Sequence, residues 1–148
     1  MKNTDTILII DDDELDRQSV LRAIKDLKIP NPVVTAKNGI EAISVLKALD
    51  IRKLGLIITD FNMPEMSGVE FVRWKQTQMG LSMIPVVVMT TSIDPKDLFD
   101  AYSSGISGYV QKTDNYTKFV EIVRTIYQYW CVCVLPPEKS VFEMRRDS

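Results

Sequence analysis

The sequence contains no histidine among its 148 residues. This absence excludes a Ser-His-Asp triad, a histidine-bound zinc ion and a phosphohistidine carried by the chain itself. Any chemistry that the chain performs therefore has to use carboxylates, hydroxyl groups and lysine.

Cysteine is scarce as well, since Cys131 and Cys133 are the only two. A disulfide framework needs more cysteines at wider spacing, and a Cys-x-Cys metal site needs further soft ligands, which a chain without histidine does not offer. In an extended segment the two thiols would point to one face. We therefore predict a reducing, cytoplasmic setting.

Long runs of one kind of residue are also missing. No apolar run approaches the roughly 18 residues of a membrane span, and the first residues pass from a short apolar run directly into acids, unlike a signal peptide. The formal net charge is −2, without a long run of Lys or Arg, which argues against a nucleic-acid surface. We expect neither a membrane nor a nucleic acid as partner, and a hydrophobic content of 45% fits one domain with a single core.

What the sequence does contain is an alternation of short β-branched runs and amphipathic stretches, which predicts five βα units. The strands that begin at Ile7, Leu54 and Ile84 are nearly continuous apolar runs, typical of parallel strands covered on both faces. Right-handed crossovers then give an α/β fold with a doubly wound parallel sheet. The residues predicted to face the core are Leu15, Val20, Leu21, Ile24 and Leu27 in the first helix, and Phe119, Val120, Val123, Ile126, Tyr127 and Trp130 in the last.

Polar side chains end most of these strands: Asp11 and Asp12 the first, Asp60 the third, Thr90 the fourth and Lys112 the fifth. Ligands of open α/β sheets bind beyond the carboxyl ends of the strands. Three carboxylates in one crevice raise one another's pKa unless a cation lies among them, and Mg²⁺ prefers oxygen ligands. Beside such an ion, Asp60 can attack a phosphoryl group, while Lys112 and Thr90 hold its oxygens.

Four motifs occur in a fixed order, namely "ILIIDD", "IITDFNMPEMSGVE", "VVVMTTS" and "GYVQK". In this combination the chain resembles a response-regulator receiver domain of two-component signalling, from about Thr6 to Trp130. The resemblance implies a flavodoxin-like five-stranded sheet in the order 2-1-3-4-5.

The resemblance also implies a role for each matched residue. Asp13 lies one residue past the matched acidic pair and is left out of the metal ligands. The implied roles are phosphoacceptor for Asp60, Mg²⁺ ligands for Asp11, Asp12, Asp60 and the backbone carbonyl of Asn62, phosphate-binding lysine for Lys112, switch hydroxyl for Thr90 and aromatic switch for Tyr109.

One residue departs from the family pattern, because Thr113 follows the lysine where the family usually has proline. A cis peptide bond without proline costs about 3 kcal/mol. The geometry of the loop after the fifth strand, and with it the reach of Lys112, is therefore open at the level of sequence.

Three alternatives to a working receiver are open. A haloacid-dehalogenase-like phosphatase would use Asp11 and Asp13, but it needs a further acidic pair after Lys112. A flavodoxin-like electron carrier needs a phosphate loop rich in Ser, Thr and Gly, where this chain has aspartates. A degenerate receiver would keep the site as a scaffold without using it.

The favoured function is a single-domain response regulator, not an enzyme, that accepts a phosphoryl group on Asp60. Because the chain lacks histidine, the donor has to be a separate sensor histidine kinase. Only about eighteen residues follow Trp130, so we expect the signal to pass to a downstream partner that the sequence does not name.

The end of the chain is longer than a minimal receiver. We divide the chain into a receiver domain, residues 1–130, and a C-terminal extension, residues 131–148. The extension resembles that of the phytochrome-associated branch, which implies a homodimer and a phytochrome kinase as partner. Residues 131–135 look β-prone, and an unpaired β edge invites pairing with another chain, which would bury Trp130, Val132 and Val134. The alternative is that the segment folds back over its own last helix.

Overall fold

The structure, a computed structural model, describes residues 1–136. The five strands are β1 (Thr6–Ile10), β2 (Val33–Ala36), β3 (Leu54–Thr59), β4 (Val86–Thr90) and β5 (Gly108–Gln111). The α-helices are α1 (Glu14–Asp26), α2 (Gly39–Ala48), α3 (Gly68–Thr77), α4 (Pro95–Ser104) and α5 (Tyr116–Val132), and a short 3₁₀ helix covers Ile51–Lys53. All neighbouring strands are parallel, in the order β2-β1-β3-β4-β5. The predicted five-stranded, doubly wound sheet is confirmed.

The core lies in two layers, one on each face of the sheet. In β1, Leu8 and Ile10 point to the layer with α2, α3 and α4, while Ile7 and Ile9 point to the layer with α1 and α5. This alternation follows from the period of two residues along a strand. Because both faces are covered, the central strands bury apolar residues continuously.

The last helix buries the face that the sequence predicts, with Phe119, Val123 and Ile126 in the core. The prediction for the first helix is partly wrong, because Leu15 is 77% exposed and Leu21 is 36% exposed. The buried side of α1 is formed by Val20 and Ile24, as predicted, together with Ala23. A helix turns about 100° per residue, so the residue after Val20 lies well round the helix from the sheet.

The first helix begins immediately after the acidic run. Asp13 is its N-cap, and its Oδ1 accepts a hydrogen bond from the backbone N–H of Asp16 at 3.0 Å. Asp13 also donates its own N–H to Asp11 Oδ1 at 3.0 Å. Asp13 therefore caps the helix, and Asp11 and Asp12 lie between the end of β1 and this cap.

The β-prone interpretation of residues 131–135 is wrong where the segment begins. Helix α5 continues to Val132, and the C-cap residue Cys133 donates its N–H to Tyr129 O at 3.2 Å. The helical packing of α5 prevails over a local β preference, which is weak where no partner strand is present. Cys131 and Cys133 therefore do not share the face of a strand.

The boundary at residue 130 falls two residues before the end of α5, and residues 137–148 of the extension lie outside the described part of the chain. Among residues 1–136, no helix combines the length and the apolar character that crossing a membrane requires.

Candidate functional site

The site residues lie at the carboxyl edge of the sheet because the ladder of hydrogen bonds continues one residue past the strands. Asp11 N–H donates to Ala36 O at 3.1 Å, and Asp60 N–H donates to Ile10 O at 2.8 Å. Lys112 N–H donates to Thr90 O at 2.7 Å. The backbones of Asp11, Asp60 and Lys112 are therefore fixed by the sheet itself.

Three aspartates meet at this edge. Asp11, Asp12 and Asp60 each present a carboxylate oxygen, and these oxygens lie within 4.8 Å of one another. Asp11 is buried, Asp60 is half-buried and Asp12 is exposed. A donor set made only of carboxylate oxygens, open to solvent on one side, fits a hard divalent cation.

Lys112 reaches the same point from the other side of the crevice. Its Nζ lies 2.8 Å from Asp11 Oδ2 and 3.5 Å from Asp60 Oδ2, and only 11% of its side chain is exposed. No peptide bond among residues 1–136 is cis. Thr113 therefore follows a trans bond, and the lysine reaches both acids without proline in that loop.

Burial dominates the electrostatics of the site. It raises the pKa of Asp60 from its ordinary value of 3.8 to about 6, against the opposing charge of Lys112. It also raises the pKa of Asp11. Burial alone would lower the pKa of Lys112, but hydrogen bonds to Asp11 and Asp16 outweigh it and raise that pKa. Lys112 therefore stays charged, and keeping Asp11 and Asp60 ionised costs free energy.

The loop from β3 to α3 holds Asp60 tightly. Phe61 N–H donates to Asp60 Oδ1 at 2.7 Å, and Gly68 N–H donates to Phe61 O at 2.9 Å. A Cβ at Gly68 would lie 2.2 Å from Asp60 O, so only glycine permits this approach. Asn62 lies exposed in the same loop, two residues after Asp60.

Thr90 and Tyr109 are linked through one residue of the loop after β4. The hydroxyl of Tyr109 donates to Ser92 O at 2.8 Å, and Ser92 N–H donates to Thr90 Oγ1 at 3.4 Å. Thr90 is buried and Tyr109 is half-buried. The ring of Tyr109 packs edge-on against the ring of Phe61, with 6.4 Å between the ring centroids. Tyr109 therefore connects the neighbourhood of Asp60 to the start of α4.

Sequence reasoning missed Asp16, whose Oδ2 accepts a hydrogen bond from Lys112 Nζ at 2.7 Å. No local sequence signal points to this pair, because the two residues are 96 positions apart in the chain. The residues predicted for dimerisation lie elsewhere, in the last turn of α5 and just after it. Trp130 packs partly against its own core, whereas Val132 is 79% exposed and Val134 is 98% exposed.

The raised pKa of Asp60 has a consequence for stability. A carboxyl group whose pKa is higher in the folded than in the unfolded state lowers stability as the pH rises from about 4 to about 6, and the loss persists above that range. One pKa unit is worth about 1.4 kcal/mol. In metal-free buffer at pH 7, we expect Asp60→Asn to be more stable than the wild type by up to about 3 kcal/mol, with the difference shrinking toward pH 4. Urea denaturation in the presence of a chelator measures it.

The matched control is Asp114→Asn, which neutralises an exposed carboxylate and should change stability by less than about 0.5 kcal/mol. An Asp60→Asn variant no more stable than the wild type at pH 7 would contradict the electrostatic account of the site.

Comparison with known proteins identifies the arrangement. The family model of the response regulator receiver domain matches residues 7–124. Response regulator Rcp1 of Synechocystis sp. is 27% identical over 135 residues, which cover 88% of this chain and 92% of Rcp1. The crystal structure of the phosphorylated cyanobacterial phytochrome response regulator RcpA matches with a TM-score of 0.82 at 29% identity, covering 90% of this chain and 99% of RcpA. The Mn²⁺-bound form of Rcp1 matches with a TM-score of 0.78 at 26% identity and the same coverages of 90% and 99%.

The family match spans all five strands and reaches into α5. It decides for the receiver interpretation over the flavodoxin-like and dehalogenase-like alternatives. The chain belongs to the response-regulator receiver family, whose members act as phosphoacceptor switches and not as conventional enzymes.

Proposed function

We propose that this chain is a single-domain response regulator in which Asp60 accepts a phosphoryl group from the phosphohistidine of a sensor histidine kinase. The observation that carries the proposal is the position of Asp60 Oδ2, 3.5 Å from Lys112 Nζ and within the cluster formed with Asp11 and Asp12. One carboxylate nucleophile, a charged lysine and two further acids are the parts that phosphoryl transfer to aspartate needs.

Mg²⁺ is the cofactor that we propose for this site. Its ligands would be the carboxylates of Asp11, Asp12 and Asp60, whose oxygens lie within 4.8 Å of one another, and the backbone carbonyl of Asn62. When bound, the ion supplies positive charge that offsets the repulsion among the acids and the charge of the phosphoryl oxygens. A solved form of the similar protein Rcp1 is described as Mn²⁺-bound, which supports a divalent cation here.

The transfer itself uses few groups of this chain. An oxygen of Asp60 forms a bond to phosphorus while the phosphorus–nitrogen bond of the donor breaks, leaving its electron pair on the imidazole. Phe61 N–H, 2.7 Å from Asp60 Oδ1, fixes the orientation of the carboxylate. Lys112 and the hydroxyl of Thr90 then donate hydrogen bonds to the phosphoryl oxygens.

The conformational signal would run through Thr90, Ser92 and Tyr109. Thr90 Oγ1 accepts a hydrogen bond from Ser92 N–H at 3.4 Å. This is longer than the usual N–H···O distance of about 2.7–3.2 Å, so the bond is weak and easily broken. Drawing the Thr90 hydroxyl toward a phosphoryl group would move Ser92, whose carbonyl holds the hydroxyl of Tyr109. Because Tyr109 already occupies this half-buried position, we expect phosphorylation to shift the population of this arrangement and so remodel the surface of α4 and β5.

The kinase partner is a further part of the proposal. The similar protein RcpA is described as a cyanobacterial phytochrome response regulator, and this supports a phytochrome kinase as the donor for the present chain. A cytoplasmic location remains a prediction that rests on cysteine usage.

Acetyl phosphate, which needs no partner kinase, tests the proposed reaction. With Mg²⁺, intact-mass spectrometry should detect one added phosphoryl group on the wild type and none on Asp60→Asn, because asparagine lacks the nucleophilic carboxylate. The variant Asp114→Asn serves as the matched control and should be labelled like the wild type. A chelator should suppress labelling.

Persistent label on Asp60→Asn would refute the assignment of the phosphoacceptor. A wild type that takes up no label under these conditions would favour the scaffold alternative.

We also propose a homodimer formed through the end of α5 and the residues after it. Val132 and Val134 are 79% and 98% exposed, and Val134 lines a cavity of about 490 Å³ together with Met83 and Leu135, among others. Apolar side chains left open beside a cavity support an isologous contact between two copies. Trp130 would contribute only the part of its ring that its own core leaves exposed.

Charge placed on the exposed valines tests the dimer without cutting α5. Size-exclusion chromatography with light scattering should show a dimer for the wild type at micromolar concentration. The double variant Val132→Glu/Val134→Glu should be a monomer, since ionised groups resist burial at an apolar contact. Ile93→Glu, at an exposed apolar residue near the opposite end of the sheet, is the control and should remain dimeric. A monomeric wild type, or a double variant that stays dimeric, would refute this interface.

A further inference from the structure

The ammonium group of Lys112 has three carboxylate neighbours and three N–H donors. It donates to Asp11 Oδ2 at 2.8 Å and to Asp16 Oδ2 at 2.7 Å, whereas Asp60 Oδ2 lies at 3.5 Å. The first two distances are those of charge-assisted hydrogen bonds, and the third is too long for one. Two donors are therefore engaged, and the third faces Asp60.

The two engaged acids differ in what else they do. Asp11 belongs to the cluster of carboxylates that fits a divalent cation, together with Asp12 and Asp60. Asp16 lies outside that cluster. A cation held by the cluster would compete with Lys112 for Asp11, and Asp16 would then be the acid that still holds the lysine.

Asp16 is itself well placed to hold the lysine. It lies in the first turn of α1, and its backbone N–H donates to the N-cap residue Asp13 at 3.0 Å. Its side chain is 43% exposed, and a partly exposed ion pair adds little to folding stability. The contact between Asp16 and Lys112 thus serves to place the ammonium group more than to stabilise the fold.

We propose that Asp16 is a positioning residue that holds the ammonium group of Lys112 facing Asp60 while the cation site is filled, so that the third N–H donates to the phosphoryl group. This inference rests on the proposed function of Asp60. The backbone of Lys112 is anchored at Thr90 O, but the lysine side chain has four flexible carbons. Without Asp16 the ammonium group loses its outer anchor and spends less time at the phosphoryl position.

Beryllofluoride, which binds an aspartate carboxylate as a phosphoryl analogue, provides the test. Its affinity is measured by ¹⁹F NMR at saturating Mg²⁺, so that a change in Mg²⁺ affinity does not alter the measured beryllofluoride affinity. Asp16→Ala should bind beryllofluoride about tenfold more weakly than the wild type, the size expected for impairing one hydrogen bond between charged groups. Glu14→Ala removes an exposed acid from the same helical turn and should bind within about twofold of the wild type.

A second readout follows the lysine directly. In ¹⁵N NMR of the Mg²⁺-loaded protein, the ammonium protons of Lys112 should exchange with solvent faster in Asp16→Ala than in Glu14→Ala, which a purely structural role would not cause. Equal beryllofluoride affinities in the two variants would overturn the inference and leave the role of Asp60 intact. A wild type that binds no beryllofluoride would overturn the proposed function first, and the inference with it.

Discussion

Three carboxylates and one ammonium group share a small space at the carboxyl edge of the sheet, and this concentration of charge determines which ligands the site can accept. The strand order places β1 beside β3, so Asp11 and Asp60 follow neighbouring strands and cannot move apart without breaking the ladder. Burial raises the pKa of Asp60 to about 6, which shows that the fold holds this carboxylate at an energetic cost. Lys112 offsets part of that cost, and a bound cation would offset more.

The same strand order connects the site to the outer surface of the protein. Thr90 ends β4 and Tyr109 lies in β5, the two strands on the far side of β3 from β1. Ser92 joins these two side chains through one weak and one short hydrogen bond. These two bonds are the contacts through which, in the proposed function, a change of charge at Asp60 would reach the loop before α4.

Sequence predicted the parts of this protein whose pattern is periodic or whose position follows from the sheet. The central strands were recognisable because both of their faces are buried, and the residues that end them had to meet at one edge. Leu15 and Leu21 were misplaced because apolar character alone does not state which side of a helix faces the sheet, and α1 packs through Val20 and Ala23. The end of α5 was misjudged because tertiary packing continued a helix where local preference favoured a strand. Asp16 was missed because its partner Lys112 is 96 residues away, and such a pair becomes visible only once the chain has folded.

The central claim is that the acidic cluster is a cation site that serves Asp60, and a calorimetric titration with Mg²⁺ at pH 7 tests it most directly. The account predicts one ion per chain, and an affinity at least about tenfold lower for Asp12→Ala, because one carboxylate ligand is lost while an exposed side chain is removed without harm to the core. Glu14→Ala, which removes an exposed acid outside the cluster, should bind Mg²⁺ like the wild type. Equal Mg²⁺ affinities for the wild type and Asp12→Ala would contradict the account.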